Sequence, residues 1–219
     1  MQGYYGNNSP DALERIFQGK INWFNLCMVA INILVFFIAE IMGDTTDVMY
    51  MLKIGASYTP NVLDGEWYRL FSSMFLHFGI EHLFNNMLLL LFLGDMLEEF
   101  VGKWKYLLIY IGGGLAGNLL SLLVEMYKGD MAVSAGASGA VFAVIGGLFV
   151  VLLKNKDQAQ DISASRVLFV IVLSIYHGFQ STGVDNVAHI GGALAGILLT
   201  QFFYWPRLKN QDWRINRSK

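Results

Sequence analysis

The chain has 219 residues, 55% of them hydrophobic and 15% charged, with a formal net charge of −2 at pH 7. Soluble domains are about 45–50% apolar and about 25% charged, so this balance points to a membrane protein, and the net charge gives no basic footprint for nucleic acid. The one cysteine, Cys27, excludes an intramolecular disulfide framework, and its apolar neighbours predict a buried, unreactive thiol.

Residues 1–20, "MQGYYGNNSPDALERIFQGK", are polar and lack the apolar stretch of a secretory signal. Within them, 9–18 reads as a short helix with Ser9 as N-cap and Pro10 in the first turn. Crossing about 30 Å of hydrocarbon takes about 20 largely apolar residues. Six segments qualify: 21–42, 80–98, 104–126, 136–153, 165–181 and 187–205. The expected fold is therefore all-α, a polytopic bundle of six transmembrane helices in a membrane domain over 21–205, followed by a basic tail over 206–219. The connection 43–79 is too apolar and aromatic for a solvated linker. Its Trp67, Tyr68 and Phe71 suit a membrane-associated first loop at headgroup depth. There is no repeat of fixed period and no low-complexity tract.

Twelve of the 15 Lys and Arg residues lie in the N-terminal segment, in 98–105, in 154–166 and in the tail, leaving Lys53, Arg69 and Lys128 for the other connections. Basic residues collect on the cytoplasmic side, so both termini are expected there. Spans 80–98, 136–153 and 187–205 then all enter from the outer side. Their first turns share one depth, and their first two turns carry His82 and Asn86, Ser138, and His189. Polar groups at that depth are costly unless they face the protein interior, which makes them functional candidates.

Ser138 lies in "VSAGASGAVFAVIGG", residues 133–147. One reading is small-residue packing, with the serine bonded back to its own helix; the other is a nucleophile. Gly139, Ala143 and Gly147 on one span, and Gly192 and Gly196 on another that begins near His189, would let two backbones approach closely. This favours a Ser138–His189 pair. His82 and Asn86, four apart on one helix face, are either polar glue between helices or donors to an oxyanion. The segment "HFGIEH" does not make a zinc site: His77 and His82 are five apart, about 140° around a helix, where the metal motif needs four. No other cluster completes a metal site, and no cofactor is expected. The elbow G-x-S-x-G also fails, because position 140 is Ala. Asp185, four residues before His189, reads as an N-terminal charge complementing the helix dipole rather than a third catalytic member.

Together, "GASG" at 136–139, "AHIGGALAG" at 188–196 and "HFGIEHLFNN" at 77–86, in this order and in these spans, resemble the rhomboid intramembrane serine proteases. "YRLFSSMFLHF" at 68–78 is similar to the family's Trp-Arg first-loop motif, with Arg69 at the arginine and Tyr68 where tryptophan is usual. The resemblance covers about residues 60–200 and implies the six-span bacterial form in an inner membrane. It implies Ser138 as nucleophile and His189 as general base, with His82, Asn86 and the Ser138 N–H lining an oxyanion hole. It also implies structural support from Arg69, Glu98 and the glycines Gly136, Gly139, Gly192 and Gly196. Phe142 stands where many members carry a tyrosine that stacks on the catalytic histidine; it keeps the stacking face and loses the hydroxyl. The implied partners are transmembrane protein substrates and the lipid bilayer. The family includes inactive relatives that bind clients without cutting, but this chain retains both Ser138 and His189. A small transporter or channel is the third reading, disfavoured because the span centres carry almost no charge.

Overall fold

A computed structural model describes residues 22–155, 163–180 and 183–205. The expected helix at 9–18 and the tail 206–219 lie outside the described residues. In chain order the helices are α1 (Trp23–Met42), α2 (Val48–Lys53), α3 (Thr59–Leu63), α4 (Arg69–Ser72), α5 (Gly79–Leu89), α6 (Asp95–Val101), α7 (Lys103–Lys128), α8 (Ser138–Lys154), α9 (Ala164–Gln180) and α10 (Asn186–Phe203). A π-helical turn over Leu90–Gly94 joins α5 to α6, so the second span is one continuous helix with a widened turn in its middle. Among the described residues the fold is all-α; the β contribution is an isolated antiparallel bridge between Ser57 and Ser134.

Among the described residues, four helices are long and apolar enough to cross a membrane: Trp23–Met42, Gly79–Val101, Lys103–Lys128 and Asn186–Phe203. Helices α8 and α9, with 17 residues each, are shorter and apolar. At 1.5 Å per residue, 17 residues reach about 25 Å. α8 tolerates this because it is the centre of the bundle: 13 of its 17 residues are buried. A helix that is apolar all round belongs inside. α7, α8 and α10 form the closest-packed group around it, and α9 leans on α8 and α10 from outside.

α1 buries Asn25, Val29, Asn32, Phe36 and Ala39, a stripe recurring every three or four residues, while Trp23, Leu34 and Ile41 face outward. Cys27 corrects an expectation: it is exposed, because it falls off that stripe on the outward face. The stripe is partly polar. Glu98 accepts from the backbone N–H of Phe24 (3.3 Å) and of Asn25 (2.6 Å), neutralising the open N–H groups at the start of α1. Asn25 Nδ2 donates to the Leu91 carbonyl in the π turn (3.4 Å), and Asn25 Oδ1 accepts from the Tyr106 hydroxyl (2.6 Å). Higher up, Asn32 Nδ2 donates to the Tyr110 hydroxyl at 3.1 Å.

The first loop is folded rather than extended. Arg69 is buried; its Nη1 donates to the carbonyls of Leu52 (2.7 Å) and Ala56 (2.9 Å), and its Nε to Glu66 (2.6 Å). One planar guanidinium thus holds three points of the loop, which lysine's point charge could not do as well. The Arg69 side chain and two further hydrogen bonds draw the exposed Glu66 carboxyl below its ordinary range. Trp67, Tyr68 and Phe71 are exposed.

Candidate active site

Gly136 begins the site. Its φ of +148° is backbone that favours glycine, and its N–H donates to the Ser73 carbonyl at 2.9 Å. A Cβ placed on Gly136 would lie 2.7 Å from His82 Cε1, 2.9 Å from His82 Nε2 and 3.6 Å from Ser138 Oγ. The His82 imidazole and the Ser138 hydroxyl therefore border the same small space, kept open by the missing side chain.

Ser138 is the first residue of α8, so its N–H belongs to the first turn, where backbone donors have no partner within the helix. Ala137, the residue before it, donates its N–H to His77 Nε2 at 3.3 Å. His77 is wholly buried, and burial, with His82 beside it, pushes its pKa down to about 3, so at neutral pH it is the uncharged acceptor this bond needs. The sequence had offered His77 only as a metal ligand, a reading its spacing fails. No local signal in the sequence gives that role, since its partner Ala137 lies 60 positions away.

His189 is the fourth residue of α10, and its ring stacks on Phe142 with centroids 4.3 Å apart and planes 9° from parallel. Phe142 is one turn after Ser138 on α8, so this stacking holds the imidazole beside the face that carries the serine. The expectation that Phe142 would retain the stacking surface is met. No hydrogen bond joins Ser138 to His189 among the described residues, and His189 Nδ1 has no hydrogen-bond partner. Catalytic hydrogen bonds of this kind are commonly long in ligand-free sites and close only with substrate.

Close approach of the helices makes the stacking possible. A Cβ on Gly192 would run into the Gly139 carbonyl oxygen, and one on Gly196 into the Ala143 carbonyl oxygen. On the α7 side, a Cβ on Gly117 would lie 2.6 Å from the Ala188 carbonyl. Such backbone-to-backbone contact requires small residues on both helices. Asn86 is buried, but its Nδ2 donates to the His82 carbonyl one turn back at 3.0 Å, so one of its two amide hydrogens is engaged within α5. Asp185 is the N-cap of α10: its Oδ1 accepts from the Ala188 N–H at 2.9 Å. Glu98 and Arg69 lie away from this space and secure α1 and the first loop, as described above.

The family model "Rhomboid domain" matches residues 64–206, which include every one of these residues. The chain belongs to the rhomboid family. As a rhomboid it is a multi-pass membrane protein, in keeping with its apolar helices. It is 34% identical over 192 residues to "Rhomboid protease GluP" of Bacillus subtilis (strain 168), covering 88% of this chain and 37% of that protein. It is 32% identical over 198 residues to "Rhomboid protease AarA" of Providencia stuartii, covering 80% of this chain and 70% of the relative. "Rhomboid-like protease 3" of Toxoplasma gondii is 34% identical over 157 residues, which span 70% of this chain and 58% of that protein. The match thus spans just over a third of the Bacillus subtilis GluP relative and between a half and three quarters of the other two.

Proposed function

We infer that this rhomboid is an intramembrane serine endopeptidase in which Ser138 and His189 act as a dyad. The observation that carries this is the His189 ring stacked on Phe142, one turn from a serine whose own N–H is an unclaimed first-turn donor. In the proposed reaction, Ser138 Oγ attacks the scissile carbonyl carbon while its proton passes to the His189 imidazole. The resulting oxyanion is held by the Ser138 N–H, His82 and the second amide hydrogen of Asn86. His189 then gives its proton to the leaving amine, and the acyl-enzyme forms. Water, deprotonated by His189, releases the acyl group and restores the serine.

The substrates are single-span membrane proteins, and the topology that goes with this reading is six spans with both termini cytoplasmic. Ser138 and His189 then lie within the first turns of two helices entering from the outer side. A helical substrate hides its peptide carbonyls in its own hydrogen bonds and must unwind locally before attack. Cutting is therefore expected within about two turns of the outer boundary, where unwound backbone meets water. A second reading, a non-catalytic client binder, is disfavoured because the chain retains both Ser138 and His189.

A fluorophosphonate probe separates the two readings. The expected result is covalent labelling at Ser138, lost in Ser138→Ala and His189→Ala, with the same variants failing to cut a single-span reporter. Asn86→Ala is expected to retain measurable activity, since loss of one oxyanion donor typically lowers rate by about 10²–10³ while the others remain. An unlabelled but folded wild type would favour the client binder. A cut mapped by mass spectrometry to the cytoplasmic third of the reporter span would overturn the topology or the choice of nucleophile.

A further inference from the structure

The Asp185 carboxylate has more partners than a helix cap needs. Oδ1 accepts from the Ala188 N–H, closing the first turn of α10. Oδ2 accepts from the Ser121 hydroxyl on α7 at 2.7 Å and from the Ser134 hydroxyl at 3.1 Å. Ser121 is buried, and Ser134 is half-buried and fixed by backbone, exchanging N–H···O bonds of 2.8 Å in both directions with Ser57.

The placement of these two partners relates directly to the site. Ser134 lies four residues before Ser138, on the segment that delivers the serine to the top of α8. Asp185 lies four residues before His189, and its own carbonyl accepts the His189 N–H at 3.1 Å. Alongside the helix-to-helix glycine contacts and the Phe142–His189 stack, the Asp185–Ser134 bond is a side-chain hydrogen bond that joins the serine-bearing segment to the histidine-bearing turn. Asp185 has no bond to the imidazole: His189 Nδ1 is without a hydrogen-bond partner. The geometry is that of a strut between the two halves of the site, not of a third member of a triad.

We propose that Asp185 is a positioning residue that, through the Ser134 hydroxyl, sets the separation of Ser138 from His189. The inference rests on the reading of Ser138 and His189 as the dyad. A nucleophile and base misplaced by about 1 Å can lose about 10²-fold in rate. Helix capping uses Oδ1 alone, so removing only the Ser134 bond leaves the cap of α10 and its link to α7 in place.

Ser134→Ala is therefore the decisive variant, because it deletes one hydroxyl and keeps the Asp185 carboxylate, its cap and Ser121. The expected result is a fluorophosphonate labelling rate and a kcat lowered about tenfold or more, with KM for the reporter and the melting temperature close to wild type. Ser134→Thr, which restores a hydroxyl, is expected to recover most of the rate. Asp185→Ala should lower labelling at least as far, and adding Ser134→Ala to it should cost little more, because both remove the same link. Wild-type labelling in a folded Ser134→Ala, or simple additivity of the two substitutions, would reduce Asp185 to a cap and overturn the proposal. If Asp185→Ala does not fold, the Ser134→Ala and Ser134→Thr pair still decides. A wild type unlabelled at Ser138 would defeat the dyad reading and this inference together, whereas a labelled wild type with an indifferent Ser134→Ala defeats the inference alone.

Discussion

The two sides of the bundle are held by different means. Behind the site, α7, α8 and α10 meet through glycine: a Cβ on Gly113 would collide with Ala143, one on Gly146 with the Ala193 carbonyl, and one on Gly196 with the Ala143 carbonyl. On the other side, α1 is stitched to α6, α7 and the π turn by Asn25, Asn32, Glu98, Tyr106 and Tyr110. Lipid tails are as apolar as leucine, so helices in a bilayer gain little from burying leucine against leucine. Dense van der Waals contact and interhelical hydrogen bonds are the two remaining ways to hold them. The candidate site lies on the glycine side, where helix separation is fixed by backbone contact. The polar side relies on side chains, which can turn. The contrast teaches that the position of His189 against Ser138 depends on surfaces that cannot adjust, whereas the attachment of α1 can.

That contrast predicts unequal tolerance. Gly113→Val is expected to have the largest effect. Its added carbons would meet Ala143 on the central helix, and because the whole α7–α8–α10 group is in backbone contact, overpacking should exceed the usual 1–3 kcal/mol, about 3 kcal/mol or more. Thermal melting in detergent, together with labelling of Ser138, would show loss of both fold and site. Next comes Glu98→Leu, which strands the N–H groups of Phe24 and Asn25 and is expected to remove about 1–3 kcal/mol. Labelling at Ser138 should survive in the fraction that remains folded. If labelling instead fell as far as in Gly113→Val, the two sides of the bundle would not be separable.

Asn32→Leu breaks the bond to Tyr110; polar contacts inside bilayers average about 0.6 kcal/mol and reach about 1.7 kcal/mol, so a modest drop in melting temperature is expected. His77 adds a pH dependence. Unfolded histidine takes up a proton near 6.5, while the folded protein keeps His77 neutral down to about 3. Its contribution is therefore complete above 6.5 and is lost as pH falls toward 3. His77→Gln, which can accept the same Ala137 N–H without titrating, is expected to flatten the acid side of a melting-temperature profile. The smallest effect should come from Gly112→Ala, one residue from Gly113. There a Cβ would lie 3.5 Å from Leu199 Cδ1, an ordinary contact, and the helix gains about 0.5–1 kcal/mol of intrinsic preference. A destabilised Gly112→Ala would mean that α7 needs small residues in general rather than at the contact points.

Local sequence settles which segments are apolar enough to leave water, where the small residues recur, and which polar residues open the helices. Hydropathy and spacing are local, and they placed Ser138, His189, His82 and Asn86 near helix starts within a residue or two. They also marked Asp185 as a charge at the start of a helix, and the carboxylate does cap it. What they left undecided is azimuth, meaning which way each face turns once the helices are packed. The thiol of Cys27 faces outward because the α1 stripe runs through Asn25 and Val29, and a single apolar run has no preferred face until it meets a partner. The π turn at Leu90–Gly94 is a second case. An extra residue per turn rotates everything beyond it, and its stabilising partner, Asn25, is 66 residues away in sequence from Leu91. The polar stitching of α1 through Asn25 and Asn32 depends on partners in the π turn, α6 and α7 that no local pattern names. The roles of His77, Ser121 and Ser134 belong wholly to the tertiary structure. Each acts through a bond to a residue more than fifty positions away, and only the packed bundle brings such residues within 3.3 Å of each other.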